Sequence, residues 1–156
     1  MGSMLIYYSR SGNTKNLADK IAHELNCKEI RIMPEKEYGN YVSACIRATK
    51  ERYISNKPVF INDIPDLSGY DVVLVGYPIW MSKPPTIVSE FMSKCDLDGK
   101  VVIPFSTSGG THISKTLPTL DSVCKGARII MPYNYGMIKK DSFESWINSV
   151  KRYLEK

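Results

Sequence analysis

Asp71-Val72-Val73-Leu74-Val75-Gly76-Tyr77-Pro78-Ile79-Trp80 is the stretch on which the reading of this chain turns. Residues 71–76 (DVVLVG) form a β-branched run with no alternating polar face, the pattern of a central parallel strand covered on both sides. Pro78 cannot donate to a ladder, so the strand should end there and a loop begin. Ile79, Trp80 and Met81 then put an apolar, polarizable surface into a segment expected at the protein surface. A flat aromatic ligand is one reason to place a tryptophan in such a loop. A ring folded back over the sheet edge or a neighbouring helix is the other.

Outward from this strand, short β-rich runs alternate with longer helical ones. Residues 4–8 (MLIYY) read as a first strand running into a polar turn. Residues 14–25 carry Leu17, Ala18, Ile21, Ala22 and Leu25, the stripe of an amphipathic helix. Residues 29–33 make a second strand closed by Pro34. Residues 38–53 predict a helix with Tyr41, Cys45, Ala48 and Arg52 along one face, and 55–69 an irregular connection. After the central strand come a helix over 86–94, a strand over 101–105 (VVIPF) and a helix in roughly 114–124, where Pro118 argues against regularity. A fifth strand is expected at 127–131 (ARIIM), and a last helix over 142–154 on Phe143, Trp146, Ile147, Val150 and Leu154. This alternation predicts an α/β fold with right-handed crossovers and a five-stranded parallel sheet covered by helices on both faces. If the strand order is 2-1-3-4-5, a ligand belongs beyond the carboxyl ends of the strands.

With 156 residues, the chain fits one domain, expected to span residues 4–156. Met1-Gly2-Ser3 reads as a remnant of cloning and is left out of that span. At 43% hydrophobic and 24% charged residues, the composition is that of a globular protein rather than a disordered one. No apolar run approaches the roughly 20 residues that cross a bilayer, and residues 4–8 do not make a signal peptide. A cytoplasmic protein with no membrane association is therefore expected. The four cysteines, Cys27, Cys45, Cys95 and Cys124, contain no C-x-x-C pair, so free thiols without disulfides are expected. Two distant histidines, His23 and His112, lack the spacing of a metal site. The net charge of +5 comes from scattered lysines and arginines, apart from small groups such as Lys139-Lys140. No basic–aromatic stripe accompanies them, which argues against a nucleic-acid partner.

Three polar loops follow the first, third and fourth strands. Ser9-Arg10-Ser11-Gly12-Asn13-Thr14 sets hydroxyls around a glycine just before a helix. Its amides, with the helix dipole, make a nest suited to a phosphate without needing a lysine. An ordinary cap by Asn13 or Thr14 is the alternative. The loop has neither the Gly-Lys pair of a Walker sequence nor the glycine spacing of a dinucleotide fingerprint. Tyr77-Pro78-Ile79-Trp80-Met81 is the second loop. Ser106-Thr107-Ser108-Gly109-Gly110-Thr111 is the third, with glycines that admit a ligand close to the backbone. His112 lies close enough to this loop either to take part in the site or merely to open a helix. Tyr133 and Tyr135 are expected in a loop after the fifth strand, at the pocket edge, in a dimer contact or on the surface.

Taken in order, these loops resemble those of the flavodoxin-like superfamily, in particular its small FMN-binding flavodoxin branch, over nearly the whole chain. The resemblance implies a three-layer sandwich with strand order 2-1-3-4-5 and one bound FMN. It implies that Ser9, Ser11, Gly12, Asn13 and Thr14 hold the phosphate, with Arg10 at the rim. Pro78, Ile79, Trp80 and Met81 would pack on or around the isoalloxazine ring, Trp80 being the stacking candidate, and Thr107, Ser108, Gly109 and Gly110 would border its other side. No side chain is implied as catalytic, since the flavin carries the chemistry. Two features depart from carrier flavodoxins. Met81-Ser82-Lys83 lacks the glycine whose peptide can turn toward the reduced ring, and the chain is basic where those carriers are acidic. The favoured function is electron transfer with a redox partner protein or a small-molecule acceptor, as monomer or homodimer. An FMN-dependent NAD(P)H:quinone or flavin oxidoreductase is the alternative, and a non-catalytic binding module on the same fold the third reading.

Overall fold

A computed structural model describes residues 1–53 and 57–156. Ser55 and Asn56, the first residues of the expected irregular connection, lie outside the described residues. Four strands make up most of the sheet: β1 (Ser3–Tyr7), β2 (Lys28–Arg31), β3 (Val72–Pro78) and β4 (Val101–Ser108). Two short ones, β5 (Arg128–Ile129) and β6 (Tyr133–Gly136), both pair with β4. Every one of these ladders is parallel, and the order is β2-β1-β3-β4-β5.

The period-two alternation of the strands sorts their side chains between two cores. Met4 and Ile6 with Val73 and Val75 face one way, onto α2 (Tyr41–Tyr53), α3 (Thr86–Lys94) and α4 (Leu117–Val123). Leu5 and Tyr7 with Val72 and Leu74 face the other, onto α1 (Asn13–Leu25) and α5 (Phe143–Leu154). The result is the expected three-layer α/β sandwich. β3 is buried throughout except at Pro78, in keeping with its uninterrupted apolar run.

Several boundaries differ from the sequence reading, each for a local reason. β1 begins at Ser3, which pairs with Val72, and the Gly2 carbonyl accepts from the amides of Asp71 and Val72. Residues 2 and 3 thus belong to the sheet edge, although the sequence reading had left them out. Helix α2 starts at Tyr41 rather than 38, because Gly39 turns the chain at φ 63° and the Asn40 side chain accepts from the Ser43 amide. The helix expected over 114–124 splits into a 3-10 turn (Ile113–Lys115) and α4, with Pro118 in the first turn of α4, where it does least harm.

The main correction is at the fifth strand. Only Arg128–Ile129 of the expected 127–131 are paired, since Met131 takes a left-handed φ of 47° and Pro132 follows it. The chain then re-enters the sheet as β6, placing Tyr133 and Tyr135 beside Phe105 and Thr107 in a strand, not in a loop.

Among the cysteines, Cys95 and Cys124 lie in the core, where burial pushes both thiols up to about 12. No described helix is long and apolar enough to cross a membrane.

Gly76 is the point where β3 and β4 must pass closest. It pairs with Phe105, and a Cβ there would run into the Phe105 ring. Gly76→Ala should therefore destabilise the fold by about 1–3 kcal/mol, the usual range for overpacking a dense core. Urea unfolding of G76A, F105L and the double variant tests this: the two changes should couple, and simple additivity would show the contact to be slack.

Candidate functional site

Because β1, β3 and β4 run parallel, the loops at their carboxyl ends open on the same edge of the sheet. They surround a cleft of about 630 Å³, within the range of cofactor sites. Its wall includes Arg10, Ser11, Asn13 and Thr14 from the first loop, Pro78, Ile79 and Trp80 from the second, and Thr107, Ser108 and Gly109 from the third.

The first loop ends in an open helix terminus. Gly12, at φ 97°, is the N-cap of α1, and no side chain caps the helix. Neither Asn13 nor Thr14 acts as the cap. The Thr14 hydroxyl is instead buried in a 2.8 Å hydrogen bond with the Thr107 hydroxyl, tying the first loop to the third. Ser9 is buried too; its hydroxyl accepts from the Gly12 amide at 3.1 Å. The Arg31 guanidinium donates to the Ser9 carbonyl at 2.9 Å, holding the loop from below. The first-turn amides of α1 have no intrahelical acceptors, and no acidic side chain lies in that turn. A helix end left in this state attracts an anion through its amides and its dipole. Arg10 stands at the rim, donating to the Gly39 carbonyl at 3.3 Å.

The second loop is a tight hairpin. Trp80 and Lys83 exchange backbone hydrogen bonds of 3.0 and 3.1 Å, and between them Met81 and Ser82 both take left-handed φ values, 51° and 61°. Such a two-residue turn asks for glycine or asparagine, and this chain supplies neither. Trp80 is only 2% exposed, so it is no free-standing platform. Its ring packs on Tyr38 with centroids 5.1 Å apart and meets Tyr8 edge-on at 5.7 Å, leaving part of it to line the cleft. The ring is thus folded back on Tyr38 and Tyr8, as one of the two readings expected, and it also forms part of the cleft wall.

Behind it lies a buried polar brace. The Tyr38 hydroxyl donates to one Glu51 oxygen at 2.8 Å and Arg47 Nε donates to the other at 2.8 Å. The Arg47 guanidinium also lies 4.0 Å over the Tyr38 ring. Burial, then the hydrogen bond to Glu51, pushes the Tyr38 phenol up, and burial does the same for Tyr8, whose hydroxyl has no partner among the described residues.

Four of the expected site residues stand behind or beside the lining. Ser9 and Gly12 shape the first loop from within, and Gly110 follows the lining residue Gly109. Met81 is 44% exposed, and its sulfur accepts from the Thr49 hydroxyl at 3.3 Å, away from the cleft wall. Conversely, Tyr41, Tyr135 and Met137 line the cleft. Tyr135 was a candidate edge residue; Tyr41 and Met137 carry no sequence signal, because a helix start and a hairpin tip reach the mouth only through tertiary placement. His112 is exposed and caps the 3-10 turn, its Nδ1 accepting from the Ser114 amide at 3.2 Å. Among the described residues no cluster of histidine, cysteine or acidic side chains could hold a metal.

The sequence model described as flavodoxin matches residues 3–150. The chain belongs to the flavodoxin family. A putative flavoprotein from Bacteroides uniformis ATCC 8492 is 25% identical with a TM-score of 0.80, the match covering 99% of this chain and 98% of that one. A flavoprotein from Lactobacillus acidophilus NCFM, solved in complex with FMN, is 22% identical with a TM-score of 0.73 over 86% of this chain and 91% of its own. An NADH:FMN oxidoreductase in its apo form shares the fold at 14% identity and a TM-score of 0.58, over 98% and 88% of the two chains. No match is found among the curated proteins. Within this family the second loop is open to one direct test. Ser82→Gly should raise the urea midpoint, by about 1 kcal/mol of stability, because glycine carries no left-handed penalty. An unchanged or lowered midpoint would show that the turn is unstrained.

Proposed function

We infer that this flavodoxin binds one FMN in the cleft and serves as an electron-transfer protein. The uncapped N-terminus of α1 carries the reading: Arg10, Ser11, Asn13 and Thr14 line one end of a cleft whose other wall is apolar and aromatic. That pairing of an anion nest with a flat, greasy slot suits a phosphorylated cofactor with a planar ring. A solved relative of the same fold was crystallised with FMN, which supports the choice. When bound, FMN supplies reversible electron chemistry at its ring.

The protein's own part is to bind, orient and limit access. Ser11, Asn13 and Thr14 face the phosphate end, while Thr107, Ser108 and Gly109 offer polar atoms and backbone to the ring edge. Trp80, braced by Tyr38 and Tyr8, presents a rigid apolar side. Among the described residues the lining has no carboxylate, histidine or thiol.

Stepwise photoreduction of the FMN-loaded protein, followed by visible absorbance, tests this. Two resolved one-electron steps are expected; a single two-electron step, with rapid NAD(P)H oxidation in the presence of a quinone, would replace the carrier by the oxidoreductase. The phosphate nest has its own test in Gly12→Val, which forces a β-branched residue to φ 97°. FMN affinity, read by quenching of flavin fluorescence, should drop about tenfold or more, the scale of 1–3 kcal/mol of local strain. Unchanged affinity would remove residues 9–14 from the phosphate site.

A further inference from the structure

We propose that the rim of this cleft is a docking surface for an acidic electron-transfer protein. The inference rests on the electron-carrier reading above. It starts from side chains that water should not favour: Met137 is 89% exposed, Ile138 81%, Tyr41 54% and Tyr135 46%. Tyr41, Tyr135 and Met137 line the cleft, and Ile138 lies against Gly110 of the third loop, so the apolar surface adjoins the opening. Contiguous exposed apolar surface of this kind marks a contact site.

The patch is held in place. Tyr135 bridges to Lys140, the Gly136 amide donates to the Lys139 carbonyl at 2.9 Å, and the Met137 amide donates to Ser108 at 3.1 Å. The Asn134 side chain also donates to Lys139 O at 2.8 Å. Met137 and Ile138 therefore sit at the tip of a tied hairpin anchored to β4. A surface ordered beforehand loses less entropy when a partner covers it.

Charge names the partner. Arg10, Lys83, Lys115, Lys139 and Lys140 all come from loops at the carboxyl edge of the sheet. None of them joins an ion pair among the described residues. Against them stand three acids of this edge, Asp141, which accepts from the Asn134 amide at 3.0 Å, Glu35 and Glu37. The loops of the opposite edge carry Asp66, Asp71, Asp96 and Asp98 against Lys100 and Lys125. The excess of five positive charges is thus weighted toward the cleft, giving a field that draws and orients an acidic partner. A second copy of this chain fits poorly, because a two-fold contact on this face would set one basic rim against another.

The test is a titration of the isotope-labelled, FMN-loaded protein with an acidic [2Fe–2S] ferredoxin, followed by backbone amide shifts. Shifts should concentrate at Arg10, Tyr41, Lys115 and residues 135–140. Affinity should fall about tenfold or more between about 10 mM and about 150 mM salt, as the screening length shrinks from roughly 30 to 8 Å. K139E/K140E should weaken ferredoxin binding about tenfold at low salt and leave FMN affinity unchanged, since neither residue lines the cleft. Shifts at the opposite edge, equal binding of basic cytochrome c, or concentration-dependent self-association at the rim would each overturn the proposal. The same titration on the FMN-free protein separates the two readings. Rim shifts in a protein that fails to take up FMN would sink the carrier and keep the surface; a loaded, photoreducible protein without rim shifts would sink the surface alone.

Discussion

The parallel pairing of β3 with β1 on one side and β4 on the other is the constraint from which the rest of this molecule follows. Val72 to Gly76 face Ser3 to Tyr7, and Val72 to Pro78 face Val101 to Thr107, without a slip. In a parallel sheet the chain must return across a face before each new strand, so loops of one kind gather at one edge. The anion nest, the tryptophan hairpin and the glycine loop lie within one cleft for that reason alone. Gly76 keeps the pairing tight by letting the Phe105 ring lie over β3, and its carbonyl accepts from the Tyr8 amide just where the first loop departs.

The cleft is built from opposites, one at each end. At the helix end, stability is withheld: a helix start that could have been capped by a side chain is left open, and the Thr14 hydroxyl bonds Thr107 instead. At the ring end, the side chains are heavily braced. Trp80, Tyr8 and Tyr38 pack against one another in edge and tilted geometry, and Glu51 has both oxygens satisfied by Tyr38 and Arg47. A buried carboxylate without those donors would cost several kcal/mol, so the brace is stable only as a complete set. Rigid apolar walls and an unsatisfied polar floor are what a preformed cofactor site needs.

Basic charge and exposed apolar side chains look unrelated in the sequence, yet Lys139 and Lys140 stand beside exposed Met137 and Ile138 at the mouth of the cleft. The hairpin of residues 135–140 accounts for this. β6 extends the sheet beside the upper half of β4, so everything beyond it is carried up to the rim of the site. The interruption at Met131 and Pro132 therefore does more than shorten the fifth strand; it sets where residues 135–140 stand.

Local patterning was enough to read the α/β class, the central strand, most helix spans and the three loops. Each of these depends on neighbours in the chain: β-branched runs, a helical stripe on Leu17, Ile21 and Leu25, a proline that ends a ladder. The fifth strand and the Trp80 geometry were not legible in the same way. Proline, asparagine and glycine around Tyr133 and Tyr135 look like turn residues, and only the free edge of β4 makes a strand of them. Whether Trp80 was platform or core depended on Tyr38, from a segment far away in sequence. The sequence by itself determined which residues form strands, helices and polar loops, because those choices are made by local propensity and periodicity. Only the tertiary structure decided that α1 stays uncapped, that Tyr41 and Met137 reach the cleft and that the cations share its rim, because these result from long-range packing of surfaces that no local window contains.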